Sequence, residues 1–129
     1  MISAPQTISP NASPSERRQH QRFKAPEKTL AITPNIIGQI VDISVGGCEL
    51  KYIDNNGKLA PEGAMDILMN DKGFYMEGVP IAMAWQDHPE PSSLSSIVIR
   101  KIGIRFDNLN PIQKEKIDYF IRNYAIGVD

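Results

Sequence analysis

Cysteine is almost missing from this sequence: Cys48 is the only one in 129 residues. That excludes an intramolecular disulfide and any cysteine-based metal site, and it fits a reducing cytoplasm. No apolar run approaches the roughly 20 residues that span a bilayer, and the N-terminus lacks the basic region and continuous apolar stretch of a secretory signal, so no membrane insertion is expected. Charge of one sign is not in excess either. The 14 Lys and Arg nearly balance the 15 Asp and Glu, for a formal net charge of -1. This argues against long nucleic acid as a partner, which calls for a broad basic surface. Aromatics make up only 7% and fall mostly in core stripes, too few for a barrel that stacks single-stranded bases on exposed rings.

Signatures of catalysis are missing as well. There is no Gly-rich loop ending in Gly-Lys-Ser or Gly-Lys-Thr, and so no sign of a nucleoside triphosphate cradle. His20 and His88 have no neighbouring residues that would complete a metal site, and each reads as an ordinary surface or loop histidine. Ser44 with either histidine gives no triad spacing. Cys48 lies on an alternating strand and reads as a core residue, not a nucleophile. The chain is expected to be neither an enzyme nor a holder of a cofactor.

What is present describes one ordinary domain, with 41% hydrophobic and 22% charged residues. Residues 1–15 carry three prolines and four serines with no periodic apolar pattern, and read as a flexible tail. Short strands follow. Residues 29–32 can begin a sheet, and 36–43 are rich in Ile and Val. Cys48, Leu50 and Tyr52 alternate with Glu49 and Lys51, and Met65, Ile67 and Met69 alternate likewise. Asp54-Asn55-Asn56-Gly57 and Asn70-Asp71-Lys72-Gly73 are turn chemistry. Over 74–85 the alternation predicts Val79, Ile81, Met83 and Trp85 on one face, with Trp85 in the core, and Ala82 and Ala84 on the other. Pro80 calls for an edge or a bulge. Residues 88–93 read as a loop, and 97–106 as a last strand with Ile102, Ile104 and Phe106 facing one way.

A single helix is expected over 111–126. Asn110 suits the N-cap, Pro111 the first helical position, and Gln113 the capping box. Ile112, Ile117, Phe120, Ile121 and Tyr124 form its apolar stripe, with Gly127 as the stop. The fold class expected is all-β with a C-terminal helix: a small six-stranded antiparallel barrel with one end covered by the helix.

Two stretches carry chemistry. In Glu16-Arg17-Arg18-Gln19-His20-Gln21-Arg22, three arginines and a histidine fall within seven residues, a local concentration of positive charge in a neutral chain. Pro26 discourages helix through Ala25, which puts the arginines on a loop or isolated turn. Each guanidinium offers a planar fork of donors suited to phosphate and to guanine. Farther on comes Asp42-Ile43-Ser44-Val45-Gly46-Gly47. Strand alternation places Asp42 and Ser44 on one face, a face shared with Ile40, where an aspartate wants a partner. A carboxylate can accept from the Watson–Crick edge of guanine, and a serine hydroxyl can donate to phosphate. The glycines let a ligand or another backbone come close. The plainer possibility is that Asp42 and Ser44 only cap a tight turn.

Together, Arg-x-x-x-Arg at Arg18 and Arg22 and Asp-x-Ser-x-x-Gly at Asp42, Ser44 and Gly47 resemble the signature of the PilZ family of bacterial cyclic di-GMP receptors. The likeness covers 16–125 and includes the Ile-Gly-Ile-Arg-Phe strand at 102–106 and the final helix. The resemblance implies a split β-barrel over 16–126 that binds cyclic di-GMP on its outer surface, with the arginine loop closing over it. Carried over by position, Arg18 and Arg22 contact guanine and phosphate, Asp42 reads guanine, Ser44 reaches the polar groups, and Gly46 and Gly47 keep the turn open. A long polar residue before the motif, here Arg17, goes with two intercalated ligand molecules. The expected role is a cytoplasmic receptor, monomer or homodimer, that shows an altered surface to an unidentified protein partner. The alternative is an interaction adaptor of the same fold that binds no nucleotide.

Overall fold

The computed structural model describes residues 20–54, 59–87 and 97–129. The tail at 1–15, Arg17, Arg18 and the loop containing His88 lie outside these residues, as does most of the Asp-Asn-Asn-Gly turn.

The strands are β1 (Phe23–Lys24), β2 (Leu30–Ile32), β3 (Ile37–Ile43), β4 (Gly47–Ile53), β5 (Glu62–Met69), β6 (Phe74–Gln86), β7 (Ile99–Phe106) and β8 (Gly127–Val128), with helix α1 (Pro111–Tyr124) before the last. Six strands run in the order β2-β5-β6-β7-β4-β3, and pairing of β2 with β3 closes them into an antiparallel barrel, as expected from the sequence. The two short strands are appended outside the ring: β1 pairs with β3, and β8 with β1. Inside lie Ile40, Leu50, Ile67, Val79, Ile102 and their neighbours, each at most 1% exposed. Cys48 is among them, and burial pushes its thiol far above the ordinary range, consistent with a packing role.

Helix α1 begins at the expected capping box: the Asn110 side chain accepts from the Gln113 N–H at 2.8 Å, and the Gln113 side chain accepts from the Asn110 N–H at 3.0 Å. It ends at Tyr124, two residues before the expected limit. Gly127, expected as the stop, lies instead in β8 with φ 156°. Ile117 and Phe120 are buried, and the Phe120 ring meets Phe74 edge-on at 5.1 Å. Ile112 does not join that stripe. It is 68% exposed.

The ladders carry three register irregularities, one of them between Met65 and Ile67 in the β5–β6 pairing, and the other two overturn placements expected from the sequence. In β3 the register shifts between Ile40 and Asp42. Ile40 pairs with core-facing Leu50, whereas Asp42 pairs with outward-facing Glu49, so the two do not share a face. In β6 the register shifts between Met83 and Trp85. Met83 pairs with core-facing Ile104 and Trp85 with Gly103, so Trp85 leaves the core stripe and is 41% exposed on the outside. Pro80 pairs with Ala64 of β5, and on its other side its carbonyl accepts from the Asp107 N–H at 2.9 Å, just past the last β6–β7 pair of Ile81 with Phe106. The irregularity expected near it lies before Val79, where the β5–β6 register shifts.

Candidate functional site

Strand β1 consists of the two residues that follow the arginine motif, and its register against β3 sets Lys24 opposite Asp42. Arg22 stands just before it and reaches back over the sheet, where its Nη1 donates to Asp42 Oδ1 at 2.8 Å. The Asp42 side chain is only 3% exposed and that of Arg22 20%. The cationic segment and the acidic strand end, 20 residues apart in sequence, therefore meet on the outer face of β3.

The segment after α1 shares this corner. Ile126 N–H donates to Lys24 O at 2.9 Å and Asp129 N–H to Arg22 O at 3.0 Å, which fastens β8 to the exit of the arginine segment. Burial first, and then the Asp129 carboxyl hydrogen-bonded to it, push the Asp42 carboxyl up to about 6 against the pull of the Arg22 guanidinium; Glu49 adds to the rise. Asp42 is thus an acid whose charge is costly to keep where the fold puts it.

The turn between β3 and β4 is closed by its own groups. Ser44 N–H donates to Gly47 O at 2.8 Å, and Ser44 Oγ accepts from Gly46 N–H at 3.1 Å. The hydroxyl also approaches Gly47 O at 3.4 Å. Ser44, 3% exposed, thus caps the turn, whereas the Asp42 side chain is turned to Arg22 and Asp129. The glycines divide their work. A Cβ at Gly47 would run into the carbonyl oxygen of Ile104, so this glycine lets β4 lie against β7. A Cβ at Gly46 would meet His20 Cδ2 at 2.5 Å, which places the imidazole of the arginine segment directly over the turn.

Of the residues singled out from the sequence, Arg22, Asp42, Ser44, Gly46 and Gly47 are brought to one corner; Arg17 and Arg18 are outside the described residues. Sequence reasoning missed three neighbours: His20 covers Gly46, Glu49 stands beside Asp42, and Asp129 touches Asp42. Farther round the barrel it also misplaced Trp85, whose indole lies on Gly103. The isolated glycine in the Ile-Gly-Ile-Arg-Phe strand was the available signal, because a strand glycine often marks the close approach of another group. Among the described residues no group of His, Cys, Asp and Glu side chains could hold a metal ion. None of their helices is long and apolar enough to cross a membrane.

Comparison with solved structures finds the same fold at low identity. YcgR from Escherichia coli in complex with c-di-GMP superposes with a TM-score of 0.63 at 15% identity, over 82% of this chain and 45% of that one. The PilZ domain of YcgR with c-di-GMP gives 0.62 at 16% identity, over 84% of this chain and 91% of that domain. MrkH of K. pneumonia in its apo state gives 0.59 at 14% identity, over 80% and 47%. This chain thus spans less than half of the longer YcgR and MrkH chains. A search of curated proteins finds no match. The family described as PilZ domain matches residues 16–123, a stretch that takes in the arginine segment, the Asp-Ile-Ser-Val-Gly-Gly turn, the barrel and nearly all of α1. With the barrel closed as the sequence led us to expect, and Arg22 set on Asp42, the chain belongs to the PilZ family.

Proposed function

We propose that this chain is a cyclic di-GMP receptor without catalytic activity, and that its site is the outer corner formed by Arg17, Arg18, Arg22, Asp42, Ser44, Gly46 and Gly47. The observation that carries this reading is the 2.8 Å contact between Arg22 and Asp42. A guanidinium and a nearly buried carboxylate, each suited to one part of a guanine nucleotide, are held within one hydrogen bond of each other. The c-di-GMP complexes of YcgR, alike in fold, support the same ligand class.

On this reading binding is an exchange of partners. The ligand's phosphate or guanine accepts from Arg22, the N1 and N2 hydrogens of guanine donate to Asp42, and the internal pair opens. The exchange costs little, because a buried ion pair already carries a desolvation penalty that offsets much of its own attraction. Arg17 and Arg18 add donors from the preceding segment, whose ordering over the barrel would change the surface offered to a protein partner. Gly46 leaves room above the turn, where His20 now lies.

Calorimetric titration of the full chain with cyclic di-GMP tests the assignment. Saturable binding that disappears in Arg22→Ala, with the melting transition preserved, is the expected result. A parent chain that releases no heat across the micromolar range would favour the adaptor reading instead.

A further inference from the structure

The outer face of the barrel changes character away from the Gly46-Gly47 turn. At the far end of β4, about 20 Å from that turn, Ile53 pairs with Ile99 of β7, and Ile32 of β2 pairs with Ile37 of β3. Gln39 pairs with Lys51, and that register sets Ile37 opposite Ile53, which joins the two pairs into one row of isoleucines across β2, β3, β4 and β7. Ile37, Ile53 and Ile99 are 67%, 62% and 52% exposed, and Ile32 is half-buried. Single apolar residues on a surface mean little, but a contiguous set marks a place where something docks. Two residues along the same strands, again facing out, Lys51 pairs with Lys101. Like charges directly opposite each other destabilise a sheet, and neither lysine has an ion pair or side-chain hydrogen bond among the described residues. Two carboxylates of this end are engaged elsewhere: Asp54 holds Arg100 at 2.6 Å, and Asp87 Oδ1 accepts from the Lys101 N–H at 3.0 Å. The fold alone gains nothing from the bare isoleucines or from the facing lysines.

We infer that this face docks a protein partner through an amphipathic helix, apolar along one stripe and acidic on the flank of that stripe. The row crosses three strand spacings, about 14 Å, and three anchors at i, i+4 and i+8 of a helix span about 12 Å. The lysine pair stands about 7 Å to one side of the row, which a helix of about 10–12 Å diameter covers with its flank. An extended segment is a poorer match. The barrel is closed by the pairing of β2 with β3, so no strand edge is open here for backbone pairing. A strand laid flat on isoleucine would leave its own N–H and C=O groups unmet, whereas a helix satisfies its backbone internally. A dimer through this same face would add two lysines to two, so like charge disfavours it. The inference goes beyond the receptor reading and does not depend on it, because it concerns the end of the barrel away from Arg22 and Asp42.

The probe is a synthetic helix of about 20 residues, long enough to hold its fold alone, with leucine along one stripe and glutamate on both flanks. Its twin carries lysine in place of glutamate. Anisotropy of each labelled peptide, titrated with the full chain in the absence of cyclic di-GMP, should show saturable binding of the acidic helix that weakens with salt, and none of the basic one. Ile53→Ser should weaken that binding about 5- to 30-fold, the loss expected for one half-exposed isoleucine, and should melt close to the parent. Lys101→Glu, which gives Lys51 an opposite charge to face, should melt slightly higher than the parent yet lose most of its hold on the acidic helix. Lys51→Glu together with Lys101→Glu should exchange the preference and take up the basic helix. Equal binding of the two helices, no binding of the acidic one up to about 1 mM, or affinity within about twofold in Ile53→Ser would overturn the inference. Two other results would overturn it by naming a different occupant. Sedimentation with phosphatidylserine vesicles, lost in Ile53→Ser and without binding of the helix, would make the face a lipid contact. A mass in light scattering that grows with concentration, and stays monomeric in Ile53→Ser, would make it a contact between copies. None of these outcomes touches the receptor reading, which is tested by its own titration.

Discussion

The described residues contain two pairs in which an arginine reaches an aspartate across the strands, and they differ more in burial than in distance. Arg22 meets Asp42 at 2.8 Å and Arg100 meets Asp54 at 2.6 Å. Asp42 keeps 3% of its side chain in contact with solvent, while Asp54 keeps 23%. Arg100 and Asp54 sit where β4 and β7 leave the barrel, beside the Tyr52 to Arg100 register pair and the bond from Asp54 N–H to Val98 O at 2.8 Å. That pair joins neighbouring strands already held by a ladder. The other joins an appended two-residue strand to the barrel and holds a carboxyl in a place that disfavours its charge. The Asp42 carboxyl is pushed up to about 6, whereas the bond to Asp54 only confirms Arg100 as a cation. Proximity alone does not separate a functional pair from a structural one. Desolvation is the difference on which the proposed function turns, since a buried carboxylate gains most from donors that a ligand would bring.

The comparison breaks first on ligand binding. Arg22→Ala should weaken cyclic di-GMP at least about tenfold, the equivalent of one charge-assisted hydrogen bond. Arg100→Ala should leave it unchanged. Equal losses in calorimetry would mean that the two pairs serve the same end and that burial is not the criterion.

Asp42→Asn sharpens the contrast through pH. An acid whose folded pKa lies near 6, above its unfolded value, keeps a proton in the folded chain that the unfolded chain has released. Its contribution therefore favours folding at low pH and is lost as pH rises from about 4 to about 6. In chemical denaturation the parent should lose stability across that window relative to Asp42→Asn, and at pH 7.5 the variant should be at least as stable as the parent. Ligand affinity should move in the opposite direction, because guanine donates to the ionised carboxylate. It should fall as pH drops below about 6, and Asp42→Asn should bind poorly at every pH. A variant that is both unstable and pH-independent would make Asp42 a structural anchor.

How much of this was legible in the chain depends on whether the signal was local. Alternation in 47–53 and 99–106 gave the core faces, and the Asn110 to Gln113 box marked the helix start, because each is decided by residues a few positions apart. The meeting of Arg22 and Asp42 was legible only through the paired motifs. The bulges at Val41 and Ala84 were not legible, since one extra residue in a strand has no composition of its own and shows only against its partner. That is why Asp42 was put on the face of Ile40 and Trp85 in the core. Strand β8 escaped for a related reason: two residues pair with a segment about 100 positions earlier, and no local pattern records such a match.

Gly47→Ala asks whether the signature glycine belongs to the site or to the scaffold. Its added methyl meets backbone, the Ile104 carbonyl, which cannot swing away. Overpacking of this kind costs roughly 1–3 kcal/mol and should lower the melting temperature by several degrees. Gly46→Ala meets only the movable ring of His20 and should melt close to the parent. If Gly47→Ala were as stable as the parent yet unable to bind, the glycine would be serving the ligand and not the seam between β4 and β7.

The smallest effect is expected at Arg100. Its side chain is 27% exposed and its partner 23%, so solvent screens their attraction, and loss of the guanidinium returns Asp54 to water at little cost. The strands it bridges remain joined from Gly47 through Ile53 by the ladder to β7. Arg100→Ala should therefore shift the melting temperature less than Gly47→Ala does, and added salt should shrink the difference from the parent further. A larger loss would be informative in its own right. It would mean that this pair, and not the ladder, sets where β4 and β7 part at the end of the barrel opposite the Gly46-Gly47 turn.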